Sequence, residues 1–101
     1  MKIKKDKYLR ARGGTAKICD VVCTKCNEVV FVYQKDGSGW LKRCYINRIL
    51  IPKNIVLKKR YNCKCGQAIG YLTHYKDGRR AYTLTRGNFR RRPSKYDKQV
   101  R

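Results

Sequence analysis

Two short cysteine pairs, Cys23-Thr24-Lys25-Cys26 and Cys63-Lys64-Cys65-Gly66, constrain this chain more than any other feature. Such pairs, one from each half of a small chain, bring four thiolates to one tetrahedral cation. A two-residue spacer lets both sulfurs of the first pair face one ion while backbone amides turn toward them. The one-residue spacer of the second is tighter. It works when the next residue takes an unusual backbone conformation, which Gly66 does at no steric cost. Cys23, Cys26, Cys63 and Cys65 are therefore the expected ligands of one structural Zn²⁺, with four thiolates closing the site. Lys25 and Lys64, inside the pairs, partly offset the net charge of about −2 on such a centre.

Two other chemistries suit the same residues less well. A redox couple needs an exposed, low-pKa pair, usually in a strand–helix setting that the surrounding pattern does not supply. Four thiolates also suit iron. Of the remaining cysteines, Cys19 stands close enough to Cys23 to compete as a ligand. Cys44, within an apolar-aromatic run, reads as a small core residue. His74 is an alternative ligand for a Cys₃His site, but it reads more simply as a strand histidine facing solvent or nucleic acid.

The sequence between and after the pairs predicts a mainly β fold: a small zinc-stapled antiparallel domain of two knuckle-plus-hairpin halves. Residues 28–35 are rich in branched and aromatic side chains and end at Asp36-Gly37-Ser38-Gly39, a turn cluster. Residues 40–46 are expected to return as the partner strand, and 55–61 to lead into the second pair. Residues 68–75 and 80–85 flank Lys76-Asp77-Gly78-Arg79, where Asp-Gly predicts a two-residue type I′ hairpin. A further strand, 16–22, enters the first pair. Between Asn47 and Asn54 any helix is short, because Pro52 interrupts it. Phe31, Trp40, Tyr45 and Tyr71 are the expected aromatic core.

The ends read differently. Residues 1–14 and 87–101 are dense in lysine and arginine without apolar periodicity. They are expected to be basic tails without structure of their own, flanking a domain at 15–86. A folded part of this size gains only about 3–5 kcal/mol from its apolar core, and a metal commonly supplements it. No apolar run approaches a membrane span, and the charged N-terminus precedes no apolar stretch. Export is not expected, so the thiols are expected to be reduced and metal-binding.

The segment Tyr61-Asn62-Cys63-Lys64-Cys65-Gly66-Gln67-Ala68-Ile69-Gly70-Tyr71, behind an upstream Cys-x-x-Cys, resembles the zinc knuckles of β-tent domains of the yippee and cereblon type. Those families place two residues between the second cysteines, where this chain has only Lys64. Residues 33–45, with Arg48-Ile49, are also similar to a group of small prokaryotic Cys-x-x-Cys proteins of unassigned function. The resemblance implies the four zinc positions and no reaction.

Lys and Arg number 27 against 6 Asp and Glu, a formal charge of +21 over 101 residues. A charge this large opposes compaction unless a polyanion neutralises it. Basic residues lie in the expected tails (Lys4, Lys5, Arg10, Arg12, then Arg90, Arg91, Arg92) and at turns or strand edges: Lys42-Arg43, Lys58-Lys59-Arg60 and Arg79-Arg80. Tyr8, Phe89 and Tyr96, set among the tail charges, are placed to stack on unpaired bases. These seventeen positions are the candidate nucleic-acid contacts. RNA is favoured over DNA because no segment offers a recognition helix for the major groove.

The expected function is a structural RNA-binding protein of a ribonucleoprotein. The leading case is a cytoplasmic ribosomal protein contacting rRNA, with neighbouring ribosomal proteins as further partners. A zinc-ribbon-like DNA-binding or transcription accessory factor is the alternative. An enzyme is not expected, since carboxylates are scarce, His74 is alone and no nucleophile–base constellation appears. Neither a small-molecule substrate nor a membrane partner is expected.

Overall fold

A computed structural model describes residues 3–98 in full and residues 99–100 by their backbone. Among the described residues, eight strands form two antiparallel sheets, so the mainly β reading holds. The first sheet has the order β4-β2-β1-β8, from β1 (Ala16–Cys23), β2 (Val29–Asp36), β4 (Ile49–Ile51) and β8 (Phe89–Pro93). The second runs β3-β7-β6-β5, from β3 (Arg43–Tyr45), β5 (Arg60–Asn62), β6 (Ala68–His74) and β7 (Arg80–Leu84).

Strand alternation builds the core between them. Cys19, Val21 and Cys23 of β1 and Phe31 and Tyr33 of β2 face Cys44, Tyr82 and Leu84 of the second sheet. Phe31 lies 4.7 Å from the ring of Tyr61 and 6.2 Å from that of Tyr82, the centre of the sandwich. Cys44 is fully buried there, as its sequence setting indicated. In β6 the register slips against β5 between Tyr61 and Asn62, leaving Ile69 opposite no β5 residue. That bulge turns Ile69 into the core. Gly70 beside it is required by space: a Cβ there would meet the Thr83 carbonyl oxygen at 2.6 Å.

Four expectations are corrected. Trp40 and Tyr71 are not core residues; they are 82% and 54% exposed. The segment after Asp36 does not return as a hairpin partner: β2 pairs with β1 and β4, and residues 43–45 cross to pair with β7. Burial of Cys44 in the far sheet drives this crossing. The Asp77-Gly78 turn does join β6 to β7, but with three residues in its loop. Tyr75 N–H donates to Arg79 O at 2.9 Å, and Gly78 alone in the loop has positive φ, +87°. A type I′ turn would need positive φ at Asp77 too. Finally, of residues 55–61 only Arg60 and Tyr61 are in a strand.

The basic ends are also not structureless over the described residues; residues 1, 2 and 101 lie outside them. Asp6 caps a short helix, α1 (Lys7–Ala11), by accepting from the amides of Tyr8 and Leu9. The carboxylate also receives Arg48 Nη2 at 2.6 Å, while Arg48 Nε reaches Asp36 at 3.0 Å. Gln34, fully buried, exchanges two bonds with the Lys4 backbone and donates to Asp36. The N-terminal segment is thus clamped to the first sheet through buried polar groups.

At the other end, residues 89–93 pair in register with β1, from Cys23↔Phe89 to Cys19↔Pro93. Where β8 stops, Asp97 accepts from Ile18 N–H at 2.8 Å, just before a 3₁₀ turn ends at Val100. An edge strand needs only main-chain partners and one anchor, so its side chains need show no apolar period. Phe89 is the anchor, packed against the core. The arginines keep the outer edge from pairing further.

Candidate metal centre and basic surfaces

Each cysteine pair sits at the tip of a hairpin, the first between β1 and β2 and the second between β5 and β6. In the first, Cys23 N–H donates to Glu28 O and Asn27 N–H to Cys23 O, both at 2.9 Å. In the second, Cys63 N–H donates to Gln67 O and Gly66 N–H to Cys63 O, both at 2.8 Å. Gly66 has φ +94°, as its place after Cys65 foretold. Asn27 has φ +63° after Cys26, the matching position of the first pair. Asn is the usual substitute for Gly in this conformation, and that was the available signal.

The two tips meet. Cys23 Sγ lies 3.6 Å from Cys65 Sγ, and Cys26 Sγ lies 3.4 Å from Cys63 Sγ. All four sulfurs fall within 4.8 Å of one another. A tetrahedron with ~2.3 Å metal–sulfur bonds has sulfur–sulfur edges of about 3.8 Å, which these separations bracket. The thiols are free. Four soft donors so placed can hold one metal ion.

Electrostatics agree with that capacity. At Cys23, burial is the largest single influence and pushes the thiol up. The amides of Cys26 and Lys25 with the neighbouring thiols outweigh it, bringing Cys23 to about 7. Cys26 is lowered by the Glu28 amide, but burial and the three other sulfurs push it up to about 12. The two thiols of the first pair are thus pushed in opposite directions by their closeness to the other sulfurs. Gln67 braces the centre: its Nε2 lies 3.6 Å from Cys23 Sγ and bonds Thr24 Oγ1 at 3.0 Å and Asn88 O at 2.9 Å.

The spare candidates stay apart from the cluster. Cys19 is buried opposite Tyr33, and burial raises its thiol to about 11. His74 is exposed at the end of β6.

The candidate nucleic-acid contacts fall into three groups. Arg60, Tyr71, Thr83 and Arg43 are successive cross-strand partners across β5, β6, β7 and β3 and share the outward face of the second sheet. Lys58 and Lys59 are exposed just before β5, Lys42 just before β3, and Arg80 at the start of β7. On the other edge, Arg90 bonds Asn27 Oδ1 at 3.3 Å, Arg91 bonds Gly39 O at 3.2 Å, and Arg92 pairs with the buried Asp20 at 3.1 Å. At the N-terminus, Lys4, Lys5, Arg10 and Arg12 are exposed.

Arg79 has a different place. Its guanidinium lies 3.9 Å from the ring centre of Tyr8 and 4.1 Å from that of Tyr45, held also by Asp77 at 2.8 Å. It fastens α1 to the second sheet. Tyr8 and Phe89 therefore have folded partners within ends that were expected to lack structure of their own; Tyr96 is half-buried. Tyr71, expected in the core, is exposed on the outward face of the second sheet, because the Ile69 bulge reverses the alternation of β6.

No family model, curated protein or solved structure matches the chain. No helix among the described residues is long and apolar enough to cross a membrane.

Proposed function

We propose that this chain is a zinc-stabilised, non-catalytic RNA-binding protein, a component of a ribonucleoprotein and in the leading case a ribosomal protein contacting rRNA. Zinc is the favoured ion because four thiolates at tetrahedral spacing, braced by a side-chain amide and backbone turns, make a closed structural site. In that reading Cys23, Cys26, Cys63 and Cys65 hold it, and it ties the tips of the two sheets together. The two-sheet architecture with a knuckle at each tip is consistent with the β-tent resemblance, which contributes no reaction.

The observation that carries the RNA reading is the outward row Arg60–Tyr71–Thr83–Arg43. An exposed aromatic between cations on an open sheet face stacks a base while its neighbours take phosphates. The formal charge of +21 supplies the accompanying field. The one α-helix among the described residues has 5 residues, too short to read a major groove, which favours RNA over DNA.

Sedimentation of tagged protein in cell extract tests the reading. A ribosomal role predicts co-migration with ribosomal particles that survives DNase and a moderate salt wash and is lost with RNase. Loss on DNase treatment would replace it with the DNA-factor alternative.

A further inference from the structure

A cavity of about 480 Å³ opens where β3, the Asp36–Lys42 loop and α1 meet, away from the cysteine cluster. Ligand pockets run roughly 300–1,000 Å³, so one small organic molecule fits. Its lining is cationic: Arg12, Lys42, Arg43 and Arg48 contribute, joined by Lys35 and Arg79. Asp36 is the opposing carboxylate, and both its oxygens are already engaged, by Gln34 and Arg48.

Arg48 is the telling residue. It is 3% exposed and lines the cavity, and two of its nitrogens reach Asp6 and Asp36. Its Nη1 is buried and has no hydrogen-bond partner among the described residues. A buried, unpaired guanidinium nitrogen is costly unless an acceptor meets it. Planar apolar surface completes the lining. Trp40, 82% exposed, lines the cavity together with Tyr33 and Tyr45. An exposed tryptophan beside clustered arginines suits a ligand with an anionic end and a flat ring.

We propose that this cavity binds a nucleoside phosphate, its phosphate taken by Arg43 and Lys42 with the charge of Arg48 behind them, and its base stacked on Trp40. The ligand is a free nucleotide or the 5′-phosphorylated end of an RNA. The site shares Arg43 with the sheet-face row, but Lys42 and Trp40 lie outside that row, and free nucleotide tests them with no RNA present.

Trp40 is the sole tryptophan, so its fluorescence reports this site alone. Titration of the full chain with the four ribonucleoside 5′-monophosphates is expected to give saturable quenching by at least one, with Kd below about 1 mM. The unphosphorylated nucleoside and inorganic phosphate are each expected to bind at least ~10-fold more weakly, about 1.4 kcal/mol. Arg43→Ala and Lys42→Ala, away from the buried Asp6–Arg48–Asp36 network, should each weaken nucleotide binding by calorimetry with an unchanged circular dichroism spectrum. Comparing 5′-phosphorylated with 5′-hydroxyl oligoribonucleotides identifies the source: tighter binding of the phosphorylated oligomer assigns the RNA end, and equal binding with retained mononucleotide affinity assigns the free nucleotide. Absence of saturable quenching by any monophosphate up to about 10 mM overturns the proposal. So does inorganic phosphate binding as tightly as nucleotide, or wild-type affinity in the Arg43→Ala, Lys42→Ala double variant.

Discussion

Asn27 and Gly66 occupy equivalent places in the two cysteine knuckles: each follows the second cysteine of its pair, with φ +63° and +94°. Each donates its amide to the carbonyl of the first cysteine, Cys23 or Cys63. The knuckles differ in spacer length yet end in the same left-handed residue, which turns the chain so that both sulfurs of a pair face the same point. Backbone geometry, more than spacer length, makes the site.

That equivalence predicts an asymmetric response to substitution. Gly66→Ala forces a Cβ into the left-handed region and should cost about 1–2 kcal/mol. Asn27→Gly should be close to neutral, within roughly 1 kcal/mol. Thermal unfolding of the metal-loaded variants checks both.

Replacing Cys23, Cys26, Cys63 or Cys65 with Ser should lower metal stoichiometry and broaden or abolish the unfolding transition, because structural metal binding is folding free energy. Cys44→Ser should leave metal content intact and cost about 1–3 kcal/mol for a buried hydroxyl. Metal analysis alongside unfolding separates the two classes; equal metal loss in Cys44→Ser would contradict the assignment.

Gly70→Ala should destabilise the fold by roughly 2 kcal/mol or more, since the new Cβ would meet the Thr83 carbonyl at 2.6 Å between paired strands. Gly87, whose Cβ position is open, should not tolerate Ala well either, but only for its φ of +86°. A larger loss at Gly70 in chemical denaturation is the expected order.

Asp6 gives the fold an acid-side pH dependence. Its bond to Arg48 is the chief cause holding it down to about 2, from an ordinary 3.8. A carboxyl lowered on folding stabilises the native state above its unfolded value. The contribution is present above about pH 4 and is lost as pH falls toward about 2. Asp6→Asn should flatten the melting temperature across that window relative to wild type. An identical acid profile would show that the Asp6–Arg48 clamp contributes nothing to folding.

On the outward face of the second sheet, Arg60→Ala and Tyr71→Ala should weaken RNA binding in different ways. Losing one phosphate contact should reduce the log–log salt slope by about 0.7. Losing a stacked ring should cost ~1–3 kcal/mol with the slope unchanged. Filter binding at several salt concentrations distinguishes them.

The four cysteines, the turn at Gly78 and the burial of Cys44 were legible because each rests on local chemistry. The pairing of strands was not. Residues 29–36 and 43–45 are both β-prone, and nothing between them says that the chain changes sheets; only the packing of Cys44 against Tyr82 and its neighbours decides it. Residue type alone points Trp40 inward, since a large aromatic is usually buried, whereas here it is exposed on the loop lining the cavity. Residues 89–93 show no strand signal of their own, because an edge strand carries its information in the partner's open edge, on β1, and not in its own side chains.

Zinc-edge X-ray absorption on protein purified without added chelator tests the central claim most directly. The account predicts one zinc per chain, surrounded by four sulfurs at ~2.3 Å, with the signal lost in Cys63→Ser. A natively folded protein holding no metal, or a zinc bound through nitrogen or oxygen in place of one of these sulfurs, would contradict it.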